Sequence, residues 1–101
     1  MSSLNWSPRA LGDLARVEAF LYEKDPDAAF RARQAIRGGI AILEDYPRAG
    51  HQVEHLAGEY REWSIQFGSG GYIVMYKLET DDRVTIAAIR HMREDGFPDT
   101  D

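Results

Sequence analysis

The chain has 101 residues, 17 Asp and Glu against 12 Lys and Arg, a formal net charge of −5 and no cysteine, a length suited to one domain that buries roughly 60 to 70% of its unfolded surface around one core. Without cysteine there is no disulfide framework and no thiolate metal site, and the scattered His51, His55 and His91 are a poor ligand set, so no metal and no cofactor are expected. The acidic excess lies in residues 51–101, with ten acids and five bases, which argues against direct sequence-specific nucleic-acid binding by the chain alone, because phosphate neutralisation needs surplus Lys and Arg.

The opening Met1-Ser2-Ser3-Leu4 lacks the basic start and apolar run of a signal peptide, and no stretch approaches a membrane span, so a cytoplasmic chain with no membrane contact is expected. Leu4-Asn5-Trp6 reads as an edge strand. Ser7-Pro8 then supplies an N-cap oxygen and a proline at the first helical position. From there Ala10, Leu11, Leu14, Val17, Phe20 and Leu21 recur at spacings of three and four, predicting one buried face of a helix that ends near Lys24. Arg9, Asp13, Arg16, Glu18 and Glu23 are expected on its solvated side.

Asp25-Pro26-Asp27 repeats the start signal, and a second helix is predicted to about Asp45 with Ala29, Ala32, Ile36, Gly39 or Ile40, and Leu43 facing inward. Gly38-Gly39 costs about 1 kcal/mol per glycine inside a helix, so close packing of a neighbour is expected there. Arg33 and Arg37, one turn apart, could meet an acidic partner or simply face solvent. Tyr46-Pro47 stops the helix, and a loop runs from Pro47 to Gly58.

Three runs rich in β-branched and aromatic residues follow, Arg61–Phe67, Tyr72–Leu78 and Val84–Ile89. They are separated by Gly68-Ser69-Gly70-Gly71 and Glu79-Thr80-Asp81-Asp82, links too short for a parallel crossover, and so predict an antiparallel meander. Alternation places Trp63, Ile65 and Phe67 on the core face. In the last strand it sets Val84, Ile86 and Ala88 opposite Thr85, Ala87, Ile89, His91 and Arg93, with Arg90 on the side away from His91. Ile73, Met75 and Ile89 then form an apolar patch on the face away from the helices, a candidate partner surface. The fold class is α+β, one domain over residues 1–101: an N-terminal edge strand, an antiparallel helical hairpin and a three-stranded antiparallel meander, β-α-α-β-β-β, with a loose acidic tail over 95–101.

In that order, W-S-P-R-A-L-G-D-L, D-P-D-A-A, Y-P-R-A-G, R-E-W, G-G-Y-I-V-M-Y and I-R-H-M-R-E resemble the RelE/ParE superfamily of type II toxin–antitoxin toxins. The likeness covers nearly the whole chain. It implies a growth-inhibiting toxin of the plasmid-stabilisation type, hetero-oligomeric with a cognate antitoxin, and the closing R-H-x-R looks closer to the ParE branch, which inhibits DNA gyrase by binding; the implied antitoxin is ParD-like. The resemblance places the basic positions of the messenger-RNA-cleaving branch on Ser64, Gln66 and Ile73, none of which is charged, and cleavage needs cations for the charged transition state. Three readings stay open: a gyrase inhibitor contacting its target through Arg61, Arg90, His91 and Arg93; a ribosome-dependent endoribonuclease using His91, Arg93, Arg61 and Tyr72; or an inactive antitoxin-binding module. Ile73, Met75, Ile89, Arg33 and Arg37 are the antitoxin-binding candidates. Against these roles, His91 can serve to hydrogen-bond the tail, and Arg61 to brace Glu62, Glu94 or the sheet edge.

Overall fold

The computed structural model describes residues 2–94, so the expected loose tail over 95–101 lies outside the described residues. The elements are β1 (Ser3–Trp6), α1 (Pro8–Lys24), α2 (Pro26–Ala41) followed by a 3₁₀ turn over Ile42–Glu44, β2 (His51–Gln52), β3 (Tyr60–Phe67), β4 (Gly70–Thr80) and β5 (Arg83–His91). Both helices start as their sequences dictate. Ser7 Oγ accepts the Ala10 amide at 3.0 Å and Asp25 Oδ1 accepts the Asp27 amide at 3.0 Å, each just ahead of a first-turn proline. No helix among the described residues is long and apolar enough to cross a membrane.

The sheet has five strands in the order β1-β5-β4-β3-β2, with β1 parallel to β5 and the other neighbours antiparallel. Two-residue turns close the hairpins: Phe67 pairs Gly70 around Gly68-Ser69, and Thr80 pairs Arg83 around Asp81-Asp82. Gly68 sits at φ 61°, where a side chain would be strained. The stretch 47–58, expected as loop, contains β2, whose two exposed residues pair Glu62 and Arg61. Two exposed residues are too few to show the alternation by which a strand is recognised.

The helical hairpin covers one sheet face. Ala10, Leu14, Val17, Ala32, Ile36, Ile40 and Leu43 pack on Ile65, Tyr72, Val74, Tyr76, Val84, Ile86 and Ile89. Close packing at the glycine pair belongs to Gly39 alone: a Cβ there would lie 2.7 Å from the Ile65 side chain, while one on Gly38 would meet nothing within 4 Å. The Gly39 carbonyl also accepts Trp63 Nε1 at 2.9 Å. In α1 the expected stripe is corrected, because Leu11 and Phe20 are exposed, Phe20 at 62%, whereas Asp13 is 2% exposed. Asp13 occupies the i+3 slot between Ala10 and Leu14 of the buried face.

A bulge accounts for the second correction. Tyr76 pairs Ile86 but Met75 pairs Ala88, so Ala87 is an extra residue and the parity of β5 reverses beyond it. Ala88 and Ile89 are consecutive and both buried, Ile89 at 0%. Ile89 therefore belongs to the core opposite Val74, and cannot line an exposed partner patch. Arg90 shifts to the open face opposite Ile73, and His91 to the helical side opposite Tyr72, the reverse of what alternation predicts.

The bulge lies where β5 loses its outer neighbour. Beyond Trp6 and Ile86 the chain of β1 has turned into α1, and the free edge of β5 is met by polar side chains of that helix and its cap. Ser7 Oγ donates to the Ala87 carbonyl at 3.0 Å, Asp13 Oδ2 accepts the Ile89 amide at 2.8 Å, and Arg16 Nη2 donates to the Ile89 carbonyl at 3.3 Å. Backbone groups that a further strand would have paired are satisfied in this way.

Candidate functional site

A cleft of about 650 Å³ opens between the second half of α1, the β3–β4 turn and the end of β5. Val17, Phe20, Leu21, Phe67 and Tyr72 give it an apolar wall; Arg16, His91, Arg93 and Glu94 give it a polar rim. The reversed parity of β5 brings the rim there, since without the bulge His91 would point to the other face.

Tyr72 forms the floor. Its ring meets His91 edge-on, with centroids 5.4 Å apart and planes at 90°, and lies 6.2 Å from Phe67. Burial pushes the Tyr72 phenol above its ordinary pKa, so it is a neutral donor near pH 7 rather than a base. His91 Nδ1 accepts the Arg93 amide at 3.0 Å, which in the neutral ring leaves the proton on Nε2. The imidazole thus helps to form the turn over His91–Glu94.

Glu94 closes that turn from the other side. Its Oε1 accepts the His91 amide at 3.0 Å and Arg16 Nη1 at 3.1 Å, and its own amide donates to the His91 carbonyl at 3.1 Å. Partial burial acts to raise the Glu94 carboxyl, but the His91 amide and the Arg16 guanidinium outweigh it and hold the group below the usual carboxylate range. Arg90 Nη1 reaches round the strand end to the carbonyls of His91, at 3.2 Å, and Glu94, at 2.8 Å. Arg93 is exposed at the rim and forms no ion pair among the described residues.

Of the residues singled out from sequence, Tyr72, His91 and Arg93 come together here, while Arg90 lies beside them, engaged with carbonyl groups. Arg61 is elsewhere. At the start of β3 its side chain is 16% exposed, pairs Glu59 at 3.0 Å and donates to the carbonyls of Arg48 and Gly50 at 3.2 and 2.8 Å. It braces the 48–50 loop and does not line the cleft beside His91. Arg33 pairs Glu18 at 3.6 Å, and Arg37 lies 5.3 Å over the Trp6 ring, so both lean on their own fold. Ile73 and Met75 are half-buried on the open face, with exposed Ser64 and Gln66 on the neighbouring strand.

Arg16 and Glu94 are site residues that the helical pattern did not disclose, and Asp13 stands behind them. Among the described residues no group of three or more His, Asp or Glu side chains is placed to hold a metal ion.

The sequence model of the family described as the ParE toxin of the type II toxin–antitoxin system parDE matches residues 4–96. The chain belongs to this family of toxins. It is 33% identical over 94 residues to Toxin RelE3 of Caulobacter vibrioides, covering 93% of this chain and 98% of that protein. It is 35% identical over 72 residues to Toxin RelE1 of the same organism, covering 71% of this chain and 74% of the other. Among solved structures, a chain of the chromosomal ParDE system from P. aeruginosa superposes with a TM-score of 0.69 at 17% identity, over 90% of this chain and 96% of that one, and shares the fold. This ParE-family toxin therefore carries the α+β architecture expected from its sequence.

Proposed function

We propose that this type II toxin acts by binding and inhibiting DNA gyrase, and that a cognate ParD-like antitoxin holds it in check in a cytoplasmic hetero-oligomer. The observation that carries the reading is the chemistry of the open sheet face. Where the messenger-RNA-cleaving branch carries lysines and arginines, this chain presents Ser64, Gln66 and Ile73. Of the cations nearest that surface, Lys77 is paired with Glu79 at 3.5 Å and Arg90 is turned onto carbonyl oxygens. Stabilising a developing phosphorane charge needs cations aimed at it, and among the described residues none stands at these three positions. The contact with the target is assigned to the exposed Arg93 and the turn that presents it, with His91 beside it.

For the antitoxin, half-buried Ile73 and Met75 offer apolar area on a sheet face left uncovered by the helices, which a strand or helix of the partner can cover. On α2, Arg33 and Arg37 are assigned to an acidic segment of the partner, for which they would exchange their contacts with Glu18 and Trp6.

The endoribonuclease reading has one observation in its favour, the convergence of Tyr72, His91 and Arg93 on one cleft. His91→Asn separates the two. Its amide oxygen lies near the place of Nδ1 and can accept the Arg93 amide, but it cannot carry a proton between groups. Under the binding reading, the purified chain blocks gyrase supercoiling and His91→Asn retains the block; growth arrest with supercoiling untouched at large molar excess would discard the gyrase assignment. Message cleavage abolished by His91→Asn would install the nuclease.

A further inference from the structure

Arg16 joins the buried interior of α1 to the rim of the cleft. Its guanidinium lies 3.8 Å from Asp13 Oδ1, donates to the Ile89 carbonyl at 3.3 Å and to Glu94 Oε1 at 3.1 Å. The same Glu94 oxygen takes the His91 amide at 3.0 Å, and the His91 ring takes the Arg93 amide at 3.0 Å. The series Asp13, Arg16, Glu94, His91, Arg93 is continuous: Asp13 and Arg16 form an ion pair, and from Arg16 onward hydrogen bonds fix direction as well as distance. Asp13 is buried, but Arg16 and Glu94 do not fill the core: their side chains are 42% and 28% exposed, and neither belongs to the apolar cluster.

We propose that Arg16 and Glu94 are positioning residues, which hold the His91–Glu94 turn so that the Arg93 guanidinium is presented outward from the cleft rim. This rests on the reading above that the turn meets the toxin's target. A guanidinium is suited to the task because its planar fork serves a carbonyl and a carboxylate at once, which an ammonium group cannot do with fixed geometry. Losing the clamp leaves the helix and sheet in place but lets the turn rotate, and an oriented surface becomes an averaged one.

The His91 ring reports on the clamp directly. In the purified parent chain, labelled with nitrogen-15 in its histidines and observed at mildly alkaline pH, the two ring nitrogens of His91 should give the well-separated signals of a single tautomer with the proton on Nε2. In Arg16→Met and in Glu94→Ala the two signals should converge as the tautomers mix, with Tm lowered by no more than about 10 °C, as expected for losing partly exposed ion pairs and, in Arg16→Met, one part-buried hydrogen bond. Growth arrest on induction should weaken at least tenfold in the same two variants. Arg31→Met, which removes an exposed pairing with Asp25 at the α1–α2 junction between two residues that do not line the cleft, should change neither. Unchanged His91 signals in both variants overturn the proposal, and so does signal mixing with full toxicity retained. Because the readout is growth arrest, a parent that halts growth without touching gyrase sinks the target assignment and leaves the positioning role standing.

Discussion

Replacing Asp13 by alanine removes an acid from the buried face of α1, and the structure sets the size of the effect. The Ile89 amide loses its 2.8 Å acceptor at a bulge where no strand can replace it, leaving a buried donor unsatisfied. That loss costs about 1.5–3 kcal/mol for a hydrogen bond to a charged group. Arg9 and Arg16, 3.9 and 3.8 Å away and partly exposed, lose a carboxylate neighbour, at about 0–1 kcal/mol. Asp13→Ala is therefore expected to lower stability by about 2–4 kcal/mol, a fall in Tm on the order of 10–25 °C for a domain of this size. Asp13→Asn keeps an oxygen for the Ile89 amide and should lose only about 1 kcal/mol. Urea unfolding followed by the fluorescence of Trp6 and Trp63 measures both. If Asp13→Ala lies within about 0.5 kcal/mol of the parent, a range ordinary for surface substitutions, the acid is not the partner of the β5 edge and the explanation of the bulge fails.

The neighbouring glycines of α2 should respond with opposite signs. Gly38→Ala meets open space and should stabilise by about 0.5–1 kcal/mol, whereas Gly39→Ala drives a Cβ into Ile65 and should destabilise, a contrast that thermal melts will show or deny. Tyr76→Phe removes a hydroxyl that donates to the Pro47 carbonyl at 2.8 Å and accepts the Gly50 amide at 2.9 Å; a loss of about 1–3 kcal/mol is expected, with faster proteolysis in the 47–50 loop as the local check. Acid titration of stability tests Glu94. Its carboxyl is held low in the folded chain, so its contribution is present above the ordinary carboxylate range and is lost as pH falls through the lowered folded-state value. Glu94→Gln should flatten that part of the acid limb, and an unchanged acid limb would mean that the Arg16 and His91 contacts are not formed in solution.

Much of the fold was legible because local signals agreed. Ser7-Pro8 and Asp25-Pro26 start helices where capping and proline chemistry place them, and the hairpin turns fall inside the two polar or glycine-rich links. The site was less legible, for one physical reason. Alternation carries the parity of a strand forward until something adds a residue, and the bulge at Ala87 moved Ile89 into the core and exchanged the sides of Arg90 and His91. Nothing in Ile86-Ala87-Ala88-Ile89 announces a bulge. The position of Asp13 did carry a signal, because an acid in a core slot between Ala10 and Leu14 must find a buried donor, here an amide 76 residues away along the chain. Arg61 was less legible, since nothing local in the sequence shows that a charged residue at a strand start bonds the carbonyls of Arg48 and Gly50.

The gyrase assignment is tested most directly by inducing the chain in cells and following thymidine and amino-acid incorporation separately, with Arg93→Ala alongside the parent. DNA synthesis should fall first while translation continues, and Arg93→Ala should relieve the arrest. Early loss of translation with DNA synthesis intact would contradict the binding mechanism and point to cleavage of message in the cleft beside His91.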